Sequence, residues 1–244
     1  MISKSQVKYI QSLGQKKHRD EEQVFVAEGP RLVTDLLRSK NVVVTQLYAV
    51  SEWLAANEEL LKDINTNAVL DQELERMSQL KTPNKVIVVV KKFEQKEPVS
   101  RGNISLLLDT IQDPGNLGTI IRIADWFGVN QIVCGNDSAD MYNSKVVQAT
   151  MGSIARVNVY YTDLYKWLEK HHEVRVYATM LEGKDVTKMN TISKGVIMIG
   201  NEAKGIDERL LEFANEKITI PKKGKADSLN AAVATGIVLA CLTG

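Results

Sequence analysis

Cysteine and histidine are scarce in this chain. Cys134 and Cys241 lie far apart with no CxxC spacing, and the histidines are His18, His171 and His172 alone. A disulfide framework or a zinc site needs more such residues at closer spacing, so reduced thiols and no metal are expected. Long apolar runs are also missing. Nothing approaches the roughly 18 residues of a membrane span, and the start, Met1 to Lys17, is polar and basic without an apolar signal core. A cytoplasmic protein with no membrane partner is expected. Charge of one sign is not in excess either, since 31 basic and 30 acidic side chains leave a net +1. That balance excludes a wholesale polyelectrolyte binder but leaves room for local basic patches.

What is present is a soluble globular composition, 44% apolar and 25% charged, in 244 residues, enough for one large or two modest domains. The stretch from Lys91 to Asn103 is polar and punctuated by Pro98 and Gly102, as a linker would be. The expected division is a domain over 1–95, a linker over 96–103 and a second domain over 104–244. Helix-like and strand-like pieces alternate before the linker, giving a small α/β domain. After it, the apolar runs Ile104 to Leu108, Gln131 to Cys134, Ala155 to Tyr160, Val174 to Thr179, Gly195 to Ile199 and Lys217 to Ile220 alternate with helical patterns. The alternation predicts a mainly parallel sheet with helices on both faces. A last helix is expected from Ser228 to Leu242, burying a stripe of Leu229, Ala232, Val233, Gly236, Ile237, Ala240 and Cys241.

Ligands of open α/β sheets bind beyond the carboxyl ends of strands, and three loops there are unusual. Asp109 to Arg122 places Asn116 near a helix start and Arg122 between apolar neighbours. The segment Gly200-Asn201-Glu202-Ala203-Lys204-Gly205 suits a tight turn exposing backbone and one carboxylate. Ile218 to Gly236 runs from a strand through Pro221, Lys222, Lys223, Gly224 and Lys225 to Ser228-Leu229-Asn230 at a helix start. Each has a plain structural reading: Asn116 and Ser228 as caps, Asn230 in a first turn, Arg122 solvated, the glycines serving a turn. A dinucleotide-binding turn fails because Gly115 and Gly118 do not make GxGxxG, and no GxxxxGK[ST] occurs.

In this order, Asn116 to Arg122, Gly200 to Gly205 and Ile220 to Ala234 resemble the three signature motifs of the SpoU/TrmH RNA ribose 2′-O-methyltransferases of the SPOUT superfamily. The resemblance covers Ile104 to the C-terminus. The first domain is similar to the L30e-like substrate-binding domain that precedes many ribosomal-RNA members, through Lys16-Lys17-His18-Arg19 and the strand and helix of Phe25 to Val33. Two positions depart from the usual pattern: Ala203 and Ala232 stand where Gly and Ser are frequent.

The resemblance implies a C-terminal trefoil knot, an exception to the rule against knots. It implies S-adenosylmethionine held by backbone near Gly200, Ile220 and Leu229, an RNA substrate with rRNA favoured over tRNA, and a homodimer whose active site uses both subunits. It also implies catalytic roles for Asn116, Arg122, Glu202, Ser228 and Asn230. Arg122 is the residue proposed for deprotonating the hydroxyl, yet a guanidinium stays protonated, so it is equally readable as a phosphate or oxyanion anchor with Glu202 or an RNA phosphate taking the proton. Lys222, Lys223 and Lys225 either steer RNA or form a solvated loop. Two rival functions are a catalytically silent RNA-binding module and a nucleotide-linked oxidoreductase.

Overall fold

The computed structural model describes residues 2–80, 82–98 and 102–243; Val99 to Arg101 of the expected linker lie outside them. The chain forms two compact units, Met1–Glu94 with Asp140–Ala155, and Gln95–Ala139 with Arg156–Gly244.

The first unit opens with helices α1 (Lys4–Ser12) and α2 (Lys16–Glu22), then β1 (Val24–Glu28), α3 (Pro30–Leu37), β2 (Val44–Ala49), α4 (Ser51–Ala56), β3 (Thr66–Ala68), α5 (Asp71–Met77) and β4 (Val86–Lys91). Ser3 caps α1 with a reciprocal Gln6 contact, and Pro30 opens α3, where its fixed φ and missing N–H cost nothing. The sheet order is β1-β4-β2-β3, with β4 antiparallel to both neighbours. β4 is central, and its β-branched residues Val86 to Val90 are wholly buried.

Arg19 stands apart from its exposed basic neighbours Lys16 and Lys17. It is 2% exposed, donating to the carbonyls of Leu13 and Gly14 and to Asp140 Oδ2 at 2.7 Å. A guanidinium can be buried here because a carboxylate and two carbonyls replace much of its water. Asp140 belongs to a segment that also carries α7 (Ser144–Thr150), which packs on β1; Gln148 donates to the Glu28 carbonyl. This segment was expected within the domain over 104–244, and its packing groups it with the first unit.

The second unit contains β5 (Ile104–Leu108), α6 (Pro114–Trp126), β6 (Gln131–Gly135), β7 (Asn158–Thr162), α8 (Leu164–Lys170), β8 (Val176–Asp185), β9 (Gly195–Ile199), α9 (Glu208–Leu211), β10 (Glu216–Thr219) and α10 (Ala231–Leu242). Its six-stranded sheet runs β10-β8-β9-β5-β6-β7, and every pairing is parallel. One face packs Leu107, Val133, Val196 and Met198 against Leu164, Trp167 and Leu168 of α8 and Leu210 of α9. Their pleat neighbours Leu106, Leu108, Ile132 and Ile197 are equally buried, as covering by helices on both faces requires.

Some expected boundaries move. The strand expected at Ala155 to Tyr160 begins at Asn158, because Ser153–Ala155 closes a 3-10 turn instead. Residues Ile218 and Thr219 of β10 pair with Lys184 and Asp185, while Lys217 pairs with Ala178, so five residues of β8 bulge out between them. Cys134 is buried, and loss of water pushes its thiol up to about 12, leaving it protonated and inert.

Candidate active site

The carboxyl ends of the adjacent strands β5 and β9 bring two of the three loops together. After Leu108 the chain enters Asp109, 9% exposed, and Thr110, whose φ is +57°. A left-handed β-branched residue is strained by about 1–3 kcal/mol and needs contacts that over-determine it. Thr110 has them: its hydroxyl donates to Asp109 Oδ1 at 2.8 Å, and its carbonyl accepts from Asn201 Nδ2 at 2.9 Å. The helix α6 then starts at Pro114 with Asp113 as cap, accepting from Asn116 N. Asn116 is therefore in the first turn and not the cap, which frees its side chain for the site.

The turn after β9 is closed by mutual hydrogen bonds between the backbones of Asn201 and Gly205 at 2.9 and 2.8 Å. Asn201 Oδ1 accepts from the N–H groups of Ala203 and Lys204. Gly200 admits no side chain, since a Cβ would lie 2.4 Å from the Gly205 carbonyl carbon. Gly205 adopts φ +73°, the left-handed region that glycine enters freely. These contacts place Glu202 at the turn's tip, half-buried, and its Oε1 accepts from Asn116 Nδ2.

The segment after β10 corrects the reading of Ser228. Residues 221–230 are all exposed, and α10 begins at Ala231 with Asn230 as its cap. Asn230 Oδ1 accepts from the N–H of Ala232 at 3.0 Å and of Val233 at 3.3 Å. Its Nδ2 donates to Asn116 Oδ1 at 2.8 Å. Polarity fixes this relay: Glu202 as a carboxylate only accepts, so Asn116 turns its NH₂ to it and its oxygen to residue 230, which must donate.

Three of the five expected catalytic residues thus meet: Asn230, Asn116 and Glu202 form one directional chain. The side chains of Ser228 and Arg122 are exposed and make no hydrogen bond or ion pair among the described residues. Arg122 lies about 9 Å further along α6 than Asn116 and about 120° round it. It shares its face with Trp126, four residues on and 84% exposed. Of the expected cofactor contacts, Gly200 abuts Gly205, Ile220 is half-buried and Leu229 is exposed. The stripe expected to be buried on the last helix is buried only in part: Ala231, Thr235, Val238, Leu239 and Leu242 are buried, and of the expected set Ala232 is buried, Gly236, Ile237 and Cys241 are half-buried, and Leu229, Val233 and Ala240 are exposed. The framework of Asp109, Thr110 and Asn201 was not anticipated; Asn201 stood within a recognised motif, but the left-handed Thr110 has no signal in sequence.

A model described as the SpoU rRNA Methylase family matches residues 103–240. The chain belongs to that family. The MRM3-like substrate binding domain matches residues 4–88. Over 241 residues the chain is 32% identical to RlmP of Bacillus subtilis (strain 168), a 23S rRNA (guanosine(2553)-2'-O)-methyltransferase, spanning 98% of this chain and 96% of that protein. The AdoMet-bound rRNA methyltransferase of Sinorhizobium meliloti matches with a TM-score of 0.84 at 32% identity, over 99% of this chain and 95% of the other. The SpoU methyltransferase AviRb of Streptomyces viridochromogenes, in complex with the cofactor AdoMet, also gives 0.84, at 25% identity over 99% and 97%. Membership of a methylase family removes the oxidoreductase reading.

Proposed function

We propose that the chain transfers a methyl group from S-adenosylmethionine to a ribose 2′-hydroxyl of ribosomal RNA, acting in the cytoplasm as a homodimer. The observation that carries this reading is the relay from Asn230 through Asn116 to Glu202, which joins all three motifs at one point. The residues fit the cofactor. No backbone N–H from Lys222 to Leu229 has a hydrogen-bond partner among the described residues, so this stretch offers donors beside an exposed Leu229.

S-adenosylmethionine supplies the electrophilic methyl when bound. The chain's own residues must orient the ribose and take the hydroxyl proton. Glu202 Oε1 is held by Asn116, and Oε2 has no partner among the described residues, so Oε2 serves as the proton acceptor. Arg122 serves as a phosphate and oxyanion anchor. Ser228 contacts substrate or cofactor from the exposed segment.

Arg122 stands outside the relay of its own subunit, which supports its acting in the partner's site. Trp126, Val233 and Leu229 are exposed, and α10 packs against α6, where Gly236 lies 3.6 Å from Ile123 by the position of its missing Cβ. An apolar surface of this kind supports a second copy as its cover. The return of α10 onto α6 and the turn Val186–Lys188, with β10 outside β8, supports a knotted C-terminal path. The rRNA relatives and the substrate-binding domain favour rRNA over tRNA.

The test is transfer of labelled methyl from the donor to ribosomal and transfer RNA, with the product mapped as a 2′-O-methyl nucleotide. Product on ribosomal RNA that requires Glu202 and Arg122 is expected. Binding of RNA without transfer would support the silent module instead.

A further inference from the structure

We propose that Asp109 is a positioning residue for this reaction, its buried carboxylate fixing the turn that presents Glu202 to Asn116. The inference rests on the reading of Glu202 and Asn116 as working groups of the site. Asp109 Oδ2 accepts from the Asp207 N–H at 2.7 Å, across 98 positions of sequence, and Oδ1 accepts from the Thr110 hydroxyl. Asp207 begins α9 as its cap, so one carboxylate oxygen anchors the far end of the Gly200–Gly205 turn. The other holds Thr110 left-handed, and in that conformation the Thr110 carbonyl accepts from Asn201 at the near end. Glu202 follows Asn201 directly. Both ends of the turn are thus referenced to Asp109 and Thr110, and Asn116 lies seven residues beyond Asp109 on the same connection.

A buried carboxylate here has no other evident task. It forms no salt bridge among the described residues, Arg209 acting on it only through a minor coulombic attraction, and ordinary strand ends need no such group; its oxygens go to one N–H and one hydroxyl. Misplacing a reacting group by about 1 Å costs on the order of 100-fold in rate, so a carboxylate that sets the position of Glu202 acts on catalysis without touching substrate.

The experiment compares single-turnover methyl transfer by wild type, D109A, E202Q and the double variant. Alone, D109A is expected to lower the rate by about 10- to 100-fold, with KM for RNA changed less than about 3-fold. In the E202Q background the same change should cost under about 3-fold, because what it positions is already lost. D109N should restore the rate to within about 3-fold of wild type, since its oxygen can accept from Asp207 and its NH₂ can donate to the Thr110 hydroxyl. Equal losses in both backgrounds, or no loss in a folded D109A, would overturn the proposal. Should D109A not fold, N201D takes its place: it keeps the acceptor for Ala203 and Lys204 but loses the donor to Thr110, and the same non-additivity is required of it. Hydrogen exchange in the RNA-free protein separates this proposal from the reading it rests on. The Asp207 amide should exchange at least about 10-fold faster in D109A, and unchanged protection sinks the clamp whether or not the enzyme methylates RNA.

Discussion

Asn230 donates to Asn116 across 2.8 Å and 114 positions of sequence while its own oxygen caps α10. One side chain therefore ends a loop, starts a helix and orients Asn116.

Those duties can be separated by N230D. A carboxylate caps a helix as well as an amide does, but it cannot donate to Asn116. The melting temperature should stay within about 2 °C of wild type, while methyl transfer falls at least roughly 10-fold, the scale of a lost hydrogen bond in a charged network. N230A should lose the rate and also about 1 kcal/mol of stability from the missing cap. Calorimetry with initial rates on the same samples decides, and a fully active N230D would refute the relay.

Arg122 acting in the partner's site predicts complementation. R122A and E202Q homodimers should each keep only a small residual rate. Mixed and reassociated, half the dimers are hybrids with one intact site in two, so activity should recover to roughly a quarter of wild type. No recovery, with exchange verified by mass, would place Arg122 in its own subunit's site.

Lys222, Lys223 and Lys225 form no ion pair among the described residues and sit on a fully exposed segment. Replacing all three with alanine should weaken RNA binding and make the slope of log affinity against log salt shallower by about 2, if each lysine releases counterions from a phosphate. A slope equal to wild type in a filter-binding titration would leave them a solvated loop.

Glu28 predicts a pH effect in the first unit. Its carboxyl is raised above its ordinary value, 4.5, because burial disfavours the charge more than the Ser78 and Gln79 contacts favour it. A raised carboxyl contributes stability below the unfolded value and loses it as pH rises through the folded value. Ionised Glu28 is thus a cost at pH 7.5. E28Q removes the charge, its oxygen accepting from the Gln79 N–H and its NH₂ donating to the Ser78 hydroxyl oxygen, and should raise the melting temperature by roughly 2–4 °C there, about 1 kcal/mol. The gain should vanish near pH 4, and a constant offset across that range would refute the cause.

What the sequence makes legible follows from the physics of each feature. Periodicity placed Ile104–Leu108 and Gly195–Ile199 within their observed bounds, because fully buried parallel strands are continuous apolar runs. It failed at the helix starts, where Asp113 and Asn230 are caps in place of Asn116 and Ser228: several cap-forming residues stand in a row, and only the backbone conformation chooses among them. It failed again on α10, whose residues are apolar all round, so no stripe distinguishes the inward face from the outward one. The burial of Arg19 is not legible in sequence because its partner Asp140 is 121 positions away. The motifs exposed Asn116, Glu202 and Asn230, but not Asp109 and Thr110, whose role arises from a backbone dihedral.

The segment from Lys222 to Leu229 contributes no hydrogen bond to the fold among the described residues, whereas Asn230 next to it is bound to both helix and site. The stretch that makes no such bond and the residue that anchors the fold are thus neighbours but separate. An engineer, or a lineage, can rewrite Lys222, Lys223 and Lys225 without removing a hydrogen bond or ion pair found among the described residues, and the boundary of that freedom is a single asparagine.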